Sequence, residues 1–429
     1  MRVLWVVNTI FPDLALALDS KIPVVGGWMY GLAKDLAARD ISLSVATTDN
    51  KNIPINKKIK GISYYLLKGE KFKTEYDTSL EEQWKTVVDE VQPDIVHIHG
   101  TEYAPGLALF NACPELNYVA SIQGLISVYE RYYTGGISIK EILSNITFRD
   151  LIKNKDILSA KKKFKVRGKK IEIPYFKKIK YIIGRTDWDW AHAKTLNNQN
   201  IYYFCNESLR DSFYSSKKWN YNTKNEFTIF LSQASYPIKG LHKVLEAINL
   251  IKNDFPMIKV RVAGGNIIKS SSFSDKLRLS GYGKYIRSLI SKFKLERHLE
   301  FTGPLDEMDM IEEYLNCHVF ICPSSIENSP NSVGEAQLLG TPCIASYVGG
   351  VPNMLNHGVT GLAYRFEEVE QLAQAIKSIF MDSALAETLS KNGIAVATQR
   401  HDRKINLNTL MGIYKNIIMT GEKSEFQND

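Results

Sequence analysis

These 429 residues contain no apolar run approaching the roughly 20 that a membrane-spanning helix requires, so any membrane contact is expected to be peripheral. The N-terminus, MRVLWVVNTIFP, has seven residues of strand before a polar turn. It lacks the apolar length and small-residue cleavage site of a secretory signal. Cysteine is scarce, and Cys113, Cys205, Cys317, Cys322 and Cys343 form no CxxC or other metal-ligand spacing. Such a scattered, odd set fits reduced, buried thiols, and the expected location is the cytoplasm, including the inner face of the cell membrane. GxGxxG is missing, which removes the dinucleotide fingerprint. No DxD is read in a loop after a strand as a metal–diphosphate site. His97 and His99 alternate along one strand without further ligands at zinc spacing. No metal and no cofactor are therefore expected.

What is present is a globular composition, 44% apolar and 23% charged, at a length that implies two domains. Net charge is +8, and it is unevenly spread: residues 149–180 hold thirteen Lys or Arg against three acids. That segment has little hydrophobic periodicity and is expected to project as helix and loop. Its charge suits either a solvated face or attraction to anionic lipid headgroups or phosphorylated substrates, near 1 kcal/mol per basic residue at a membrane surface. Nothing else in the chain supports nucleic acid as a partner.

Apolar runs at 2–7, 41–47, 95–98, 118–122, 180–184 and 201–204 read as buried strands, with helices expected over 28–38 and 80–90. A loop carrying Pro12 and Pro23 precedes Gly26-Gly27, a pair that permits close backbone approach to a ligand or forms an ordinary turn. The alternation restarts at 227–231 and continues through strands 259–263, 299–302 and 319–321, with helices at 241–251, 282–293 and 308–315. The polar stretch 206–226 reads as a linker. The expected domains are 1–210 and 226–398, with a helix and tail at 399–429 returning toward the first.

The stretch CPSSIENSPNSVGEAQLLGTPCIASYVGG, residues 322–350, organises the second half. Ser329 before Pro330 reads as an N-cap with a first-turn proline, and Gly340 before Pro342 as a helix stop. Amides at Asn331, Ser332 and Val333 would make an anion site at the helix start. Glu327 stands in a loop at the carboxyl end of a strand, where open α/β sheets bind ligands, and Glu335 lies one turn inside the helix. A phosphate between two acids able to hold hydroxyl pairs describes a nucleotide-sugar pocket.

These residues resemble the retaining glycosyltransferases of family 4. The likeness covers nearly the whole chain and rests on Glu327 and Glu335, with seven residues between them, within PSSxEN-P, GTPCIAS-VGG and GVTGLAY. It implies an α/β GT-B fold, two Rossmann-like doubly wound domains facing across a cleft. By position it implies that Glu335 holds the ribose, that Glu327 faces the donor sugar, and that Ser329 to Val333 supply amides to sugar and diphosphate. Lys239 in YPIKGL would neutralise the leaving diphosphate, and Gly26-Gly27 would close on the phosphates. His97, His99 and Glu102 would line the acceptor side, with His99 and Gln123 near the reaction. Two departures stand out. The arginine common about five residues before the lysine is absent from SQASYPIKG, leaving Gln233, Ser235 or Arg185 as substitutes. The common histidine–glycine is Gln123-Gly124.

The implied activity is metal-independent, retaining transfer of a hexosyl-type group from a nucleoside diphosphate sugar to an acceptor hydroxyl. The acceptor would be carbohydrate or lipid-linked, in polysaccharide or glycolipid assembly, with residues 149–180 touching anionic membrane. Two alternatives carry different expectations. A catalytically silent sugar-nucleotide or polyanion-binding protein would bind without turnover, and an epimerase or phosphorylase on the same fold would yield other products.

Overall fold

The computed structural model describes residues 1–21, 26–50, 55–70, 75, 78–270 and 272–421. They form two compact units. The first comprises residues 1–128, 163–210 and the chain from His401; the second comprises 129–162 and 211–400.

The first unit is built on an eight-stranded sheet: β1 (Arg2–Val6), β2 (Ser42–Asp49), β3 (Ile55–Ile59), β4 (Ile62–Lys68), β5 (Ile95–His99), β6 (Tyr118–Ser121), β7 (Tyr181–Gly184) and β8 (Ile201–Phe204). Their order is β3-β4-β2-β1-β5-β6-β7-β8, parallel except for the β3–β4 hairpin. Period-two alternation divides β1 between two cores. Leu4 and Val6 face one layer, whereas Val3, Trp5 and Val7 face the other. The helix Arg403–Thr420 covers that second layer with Leu407, Leu410, Tyr414 and Ile417, one face at helical spacing. The Trp5 indole donates to the Tyr414 hydroxyl at 2.9 Å, tying this last helix to the first strand.

The second unit carries β9 (Thr228–Leu231), β10 (Lys259–Ala263), β11 (Leu299–Gly303), β12 (Val319–Cys322), β13 (Cys343–Ser346) and β14 (Leu362–Tyr364). All are parallel, in the order β11-β10-β9-β12-β13-β14. That is the Rossmann order, whose direction reverses between the first and fourth strands. The first sheet, its hairpin strand β3 aside, reverses likewise between β1 and β5. Both doubly wound halves are therefore present.

Several local expectations fail. Pro12, expected in loop, opens the helix Pro12–Ala17, where its missing N–H costs nothing. Pro23 lies outside the described residues. The 206–226 stretch is packed: it contains the helix Asp211–Ser215, Phe213 and Trp219 are buried, and the Trp219 indole donates to the Cys317 carbonyl at 2.8 Å. The basic segment does not project as a whole. Its later part runs through a π-helical turn, Gly168–Glu172, into the helix Ile173–Lys178, and Ile171, Tyr175 and Phe176 are core. A Cβ at Gly168 would fall 2.7 Å from the Ser127 Cα, so only glycine allows that approach.

Candidate functional site

In the second sheet the reversal lies between β9 and β12, and both following loops bring a charge to it. After β9 the chain makes a short 3-10 turn, Pro237–Lys239, and continues through Gly240 at φ 70°. A Cβ on Gly240 would lie 1.8 Å from the Pro323 carbonyl oxygen, so the two loops meet as bare backbone. The Ser325 amide donates to the Ile238 carbonyl at 2.7 Å. This contact sets the Lys239 ammonium 2.5 Å from Glu327 Oε1, which also accepts from the Ser324 hydroxyl at 2.7 Å. Burial would lower the Lys239 pKa, but the Glu327 carboxylate outweighs it and holds the ammonium charged.

The backbone of Glu327 is fixed from the other side. Gly350 donates its N–H to the Glu327 carbonyl at 3.0 Å, and a Cβ on Gly349 would come within 1.9 Å of that oxygen. The glycine pair thus clasps the Glu327 loop from the end of β13.

The helix after this loop is Asn331–Leu339, with extended Pro330 at the N-cap. Ser329, expected as the cap, therefore stands one residue outside. Pro330 has no side-chain acceptor, and its carbonyl instead takes the Val333 amide at 3.0 Å. Val333 drops out of the expected anion-binding set, because its N–H is already spent. Glu335 is buried one turn in, and the Tyr314 hydroxyl reaches both its Oε2 and the Ser332 carbonyl at 3.3 Å. Tyr314 escapes sequence reasoning, since only the fold brings Glu307–Asn316 beside the Glu335 helix. Gln233 and Ser235 are exposed, and Arg261 on β10 is committed to Glu300 and Glu313.

The corresponding reversal of the first sheet is differently furnished. Gly26 has φ 83° and starts the helix Gly27–Ala37, and its Cβ would meet Thr9 Cγ2 at 2.6 Å. The Arg210 side chain passes 2.9 Å from where a Gly27 Cβ would be. His97 and His99 share the Trp5 face of the sheet and stack at 3.9 Å. His97 is bracketed by the Tyr414 hydroxyl at 2.5 Å and the Ser121 hydroxyl at 2.6 Å. Burial keeps both imidazoles neutral, His99 down to about 3 with Arg185 contributing. Neither His99 ring nitrogen has a hydrogen-bond partner among the described residues.

The Gln123 amide donates to buried Glu207 at 3.2 Å. Glu207 also pairs with Arg185, which donates to the Ile122 carbonyl at 2.8 Å. Arg185, a suggested second diphosphate cation, is thus held inside the first unit beside Gln123. Glu102 is separate from the imidazoles in its interactions. Burial raises its pKa to about 8, with Glu172 adding to the rise. Glu172 is itself raised to about 7 by burial while accepting the Ile126 and Ser127 amides.

The one Asp-x-Asp after a strand, Asp187-Trp188-Asp189 behind β7, does not stand in a loop. It forms the first turn of the helix Asp187–Leu196, and Asp189 completes a capping box with Thr186. Among the described residues no cluster of three or more His, Cys, Asp or Glu is placed to hold a metal ion.

Residues 212–396 match the family described as Glycosyl transferases group 1. A relative, the capsular polysaccharide biosynthesis glycosyltransferase CapM of Staphylococcus aureus, is 25% identical over 43% of this chain and 44% of its own. The chain spans about half the length of the curated relatives it matches. Among solved structures, sucrose-phosphate synthase from Thermosynechococcus elongatus aligns over 98% of this chain and 100% of its own, with TM-score 0.72 and 16% identity. Anabaena HepE in complex with UDP-glucose aligns over 97% and 100%, with TM-score 0.65 and 14% identity. At these identities the structures establish a shared fold, GT-B.

Proposed function

We propose that this chain, whose residues 212–396 match the Glycosyl transferases group 1 family, transfers a sugar from a nucleoside diphosphate sugar to an acceptor hydroxyl with retention of configuration. The observation that carries the reading is the Lys239–Glu327 pair at the reversal of the second sheet, with Glu335 one helical turn beyond. Ligands of open α/β sheets bind at that point. Glu335 would accept from ribose hydroxyls and Glu327 from the donor sugar. Ser329, Asn331 and Ser332 lie where diphosphate or sugar oxygens would arrive, and Gly26-Gly27 supplies the approach in the first unit. UDP-glucose bound to HepE, which shares the fold, supports a donor of this class.

In the reaction the bond from the anomeric carbon to the diphosphate oxygen breaks, and its electron pair leaves with the phosphate. The acceptor oxygen bonds to the same face of that carbon, and its proton passes to the departing phosphate oxygen. Negative charge therefore develops on the diphosphate, and the Lys239 ammonium, kept charged by Glu327, passes from that carboxylate to meet it. Glu327 keeps the lysine extended before binding and afterwards faces the positive charge growing on the sugar. Gln123 and the neutral His99 position the acceptor, with His97 and Glu102 on that side. No titrating base is required of them, in keeping with the burial that holds His99 uncharged. Lys239 supplies the neutralisation, so no metal takes part in the proposed step. CapM is named for capsular polysaccharide biosynthesis, which supports a carbohydrate acceptor.

The test is a thermal-shift panel of UDP-, GDP- and ADP-sugars followed by donor turnover with acceptor extracts. Ligand at 100 times its Kd adds about 2.7 kcal/mol of stability. Turnover lost in Lys239→Ala and Glu335→Ala supports transfer. Nucleotide binding with no turnover under any acceptor would replace it by a silent binding protein.

A further inference from the structure

Two short helices of the second unit, Ile139–Ser144 and Phe148–Lys153, present apolar side chains to solvent. Ile139 and Leu143 are 66% and 54% exposed, and Phe148, Leu151 and Ile152 are 63%, 70% and 66% exposed. The spacings, i and i+4 in the first helix and i, i+3 and i+4 in the second, gather each set on one helical face. Scattered exposed apolar residues need no explanation, but five within fourteen positions on two faces do.

Both helices are held rigidly in that presentation. Each begins with a complete capping box, Ser138 with Glu141 and Thr147 with Asp150. Asp150 is buried and accepts the Gly281 amide at 2.7 Å, while Lys284 donates to the Ser144 carbonyl at 3.1 Å. A Cβ at Gly281 would collide with Asp150 at 2.7 Å, so the anchoring contact is close.

Charge decides what covers the apolar faces. Lys140, Lys153 and Lys155 are exposed and interleaved with the apolar residues, while half-buried Arg149 pairs with Asp150 at 3.4 Å. The acids of this stretch are committed: Glu141 and Asp150 to their caps, and Asp156 to the amides of Leu158 and Ser159. Apolar points among cations repel a second copy of the same face and suit a negatively charged, apolar-backed surface. We propose that residues 139–155 dock on an anionic lipid bilayer, the five apolar side chains entering the headgroup–acyl boundary while the lysines meet lipid phosphate. This moves the membrane contact away from the full 149–180 segment, whose residues 171–176 are largely core.

The test is co-sedimentation of the full chain with vesicles of phosphatidylcholine alone or with 30% phosphatidylglycerol. Binding is expected only to the anionic vesicles and to weaken with added salt. Ile139→Ser/Leu143→Ser/Leu151→Ser/Ile152→Ser should bind at least ~10-fold more weakly at an unchanged melting temperature. Lys153→Gln/Lys155→Gln should lose about five-fold per charge removed. Met257→Ser/Met381→Ser, at exposed methionines elsewhere in the unit, should bind as the parent does. Should the fourfold variant misfold, Leu151→Cys bearing an environment-sensitive dye reads the same contact, because the five native cysteines are buried. Its emission should shift to the blue on anionic vesicles. No binding, equal binding by the variants or an unshifted dye overturns the proposal. So does a patch-dependent dimer in place of vesicle binding, which would assign the faces to a second copy. Vesicle binding is read without donor sugar, so its failure and that of the transfer reaction are distinguishable.

Discussion

The two sheets reverse direction at equivalent points, yet the chemistry placed there differs in kind. In the second unit a lysine and a carboxylate meet across the reversal as a partly buried ion pair, Lys239 with Glu327. In the first, aromatic and imidazole rings fill the space, and burial keeps the imidazoles uncharged. One end is prepared to meet charge that develops during a reaction. The other holds geometry with neutral imidazoles and with an Arg185–Glu207 pair closed within the unit. The same topology thus leaves the division of labour to a handful of side chains at strand ends.

The largest expected difference is catalytic. Lys239→Ala should lower donor turnover by about 10²–10³, the scale of losing one preorganised donor to developing charge. Gln123→Ala in the first unit should cost only about ten-fold, since it removes a neutral contact. Steady-state rates of nucleoside diphosphate release would show it, and equal losses at both positions would erase the contrast.

Next in size is backbone fit. Gly240→Ala would force a Cβ against the Pro323 carbonyl at 1.8 Å with φ at 70°, and should cost about 3 kcal/mol or more. Gly26→Ala meets the Thr9 methyl at 2.6 Å with φ at 83°, a side chain able to turn aside, and should cost about 1–2 kcal/mol. Urea denaturation of each variant, read at fixed pH, measures both.

These contacts mark what could be read from the linear chain. The strand ends, the Glu327–Glu335 spacing and Lys239 were legible because each lies in a short apolar or glycine-punctuated frame. Ser329 fits the N-cap pattern because it precedes a proline, yet Pro330 itself takes the cap position. The strand β3, INKKI, escaped because its interior is polar, and the helix Ser383–Arg400 because its apolar positions follow no sharp stripe. Residues 168–178 looked like solvated charge, yet their lysines surround Ile171, Tyr175 and Phe176, which only tertiary packing turns inward. Tyr314 and Glu207 act on Glu335 and Gln123 from elsewhere in the chain, and no spacing announces such pairs.

A smaller effect concerns pH. Glu102 is protonated in the fold, its pKa raised from 4.5 to about 8, so its contribution is full below 4.5 and lost as pH rises through 8. His99 runs oppositely: lowered from 6.5 to about 3, it contributes fully above 6.5 and less as pH falls below that. Between 4.5 and 6.5 the slopes oppose each other, and above 6.5 only the carboxyls act. Stability of the first unit should therefore fall from pH 6.5 to 8, about 2 kcal/mol of it from Glu102. Glu102→Gln, which copies the neutral acid, should flatten that fall. Denaturant midpoints across the range would show it, and an unchanged slope would mean that Glu102 is ionised in the fold.

The finest contrast lies between two tyrosine hydroxyls. Tyr414 bridges Trp5 and His97 in the first unit, while Tyr314 bridges Glu335 and the Ser332 carbonyl in the second. Tyr414→Phe would strand the Trp5 N–H and one side of His97 in a dry core, so it should cost about 1–3 kcal/mol of stability and leave nucleotide affinity alone. Tyr314→Phe would loosen the carboxylate proposed to hold the ribose, weakening nucleotide binding about five-fold at about 1 kcal/mol. Calorimetric titration with nucleoside diphosphate beside thermal melts separates the two. If Tyr314→Phe changed only the melt and Tyr414→Phe only the affinity, the assignment of nucleotide binding to the second sheet's reversal would be reversed.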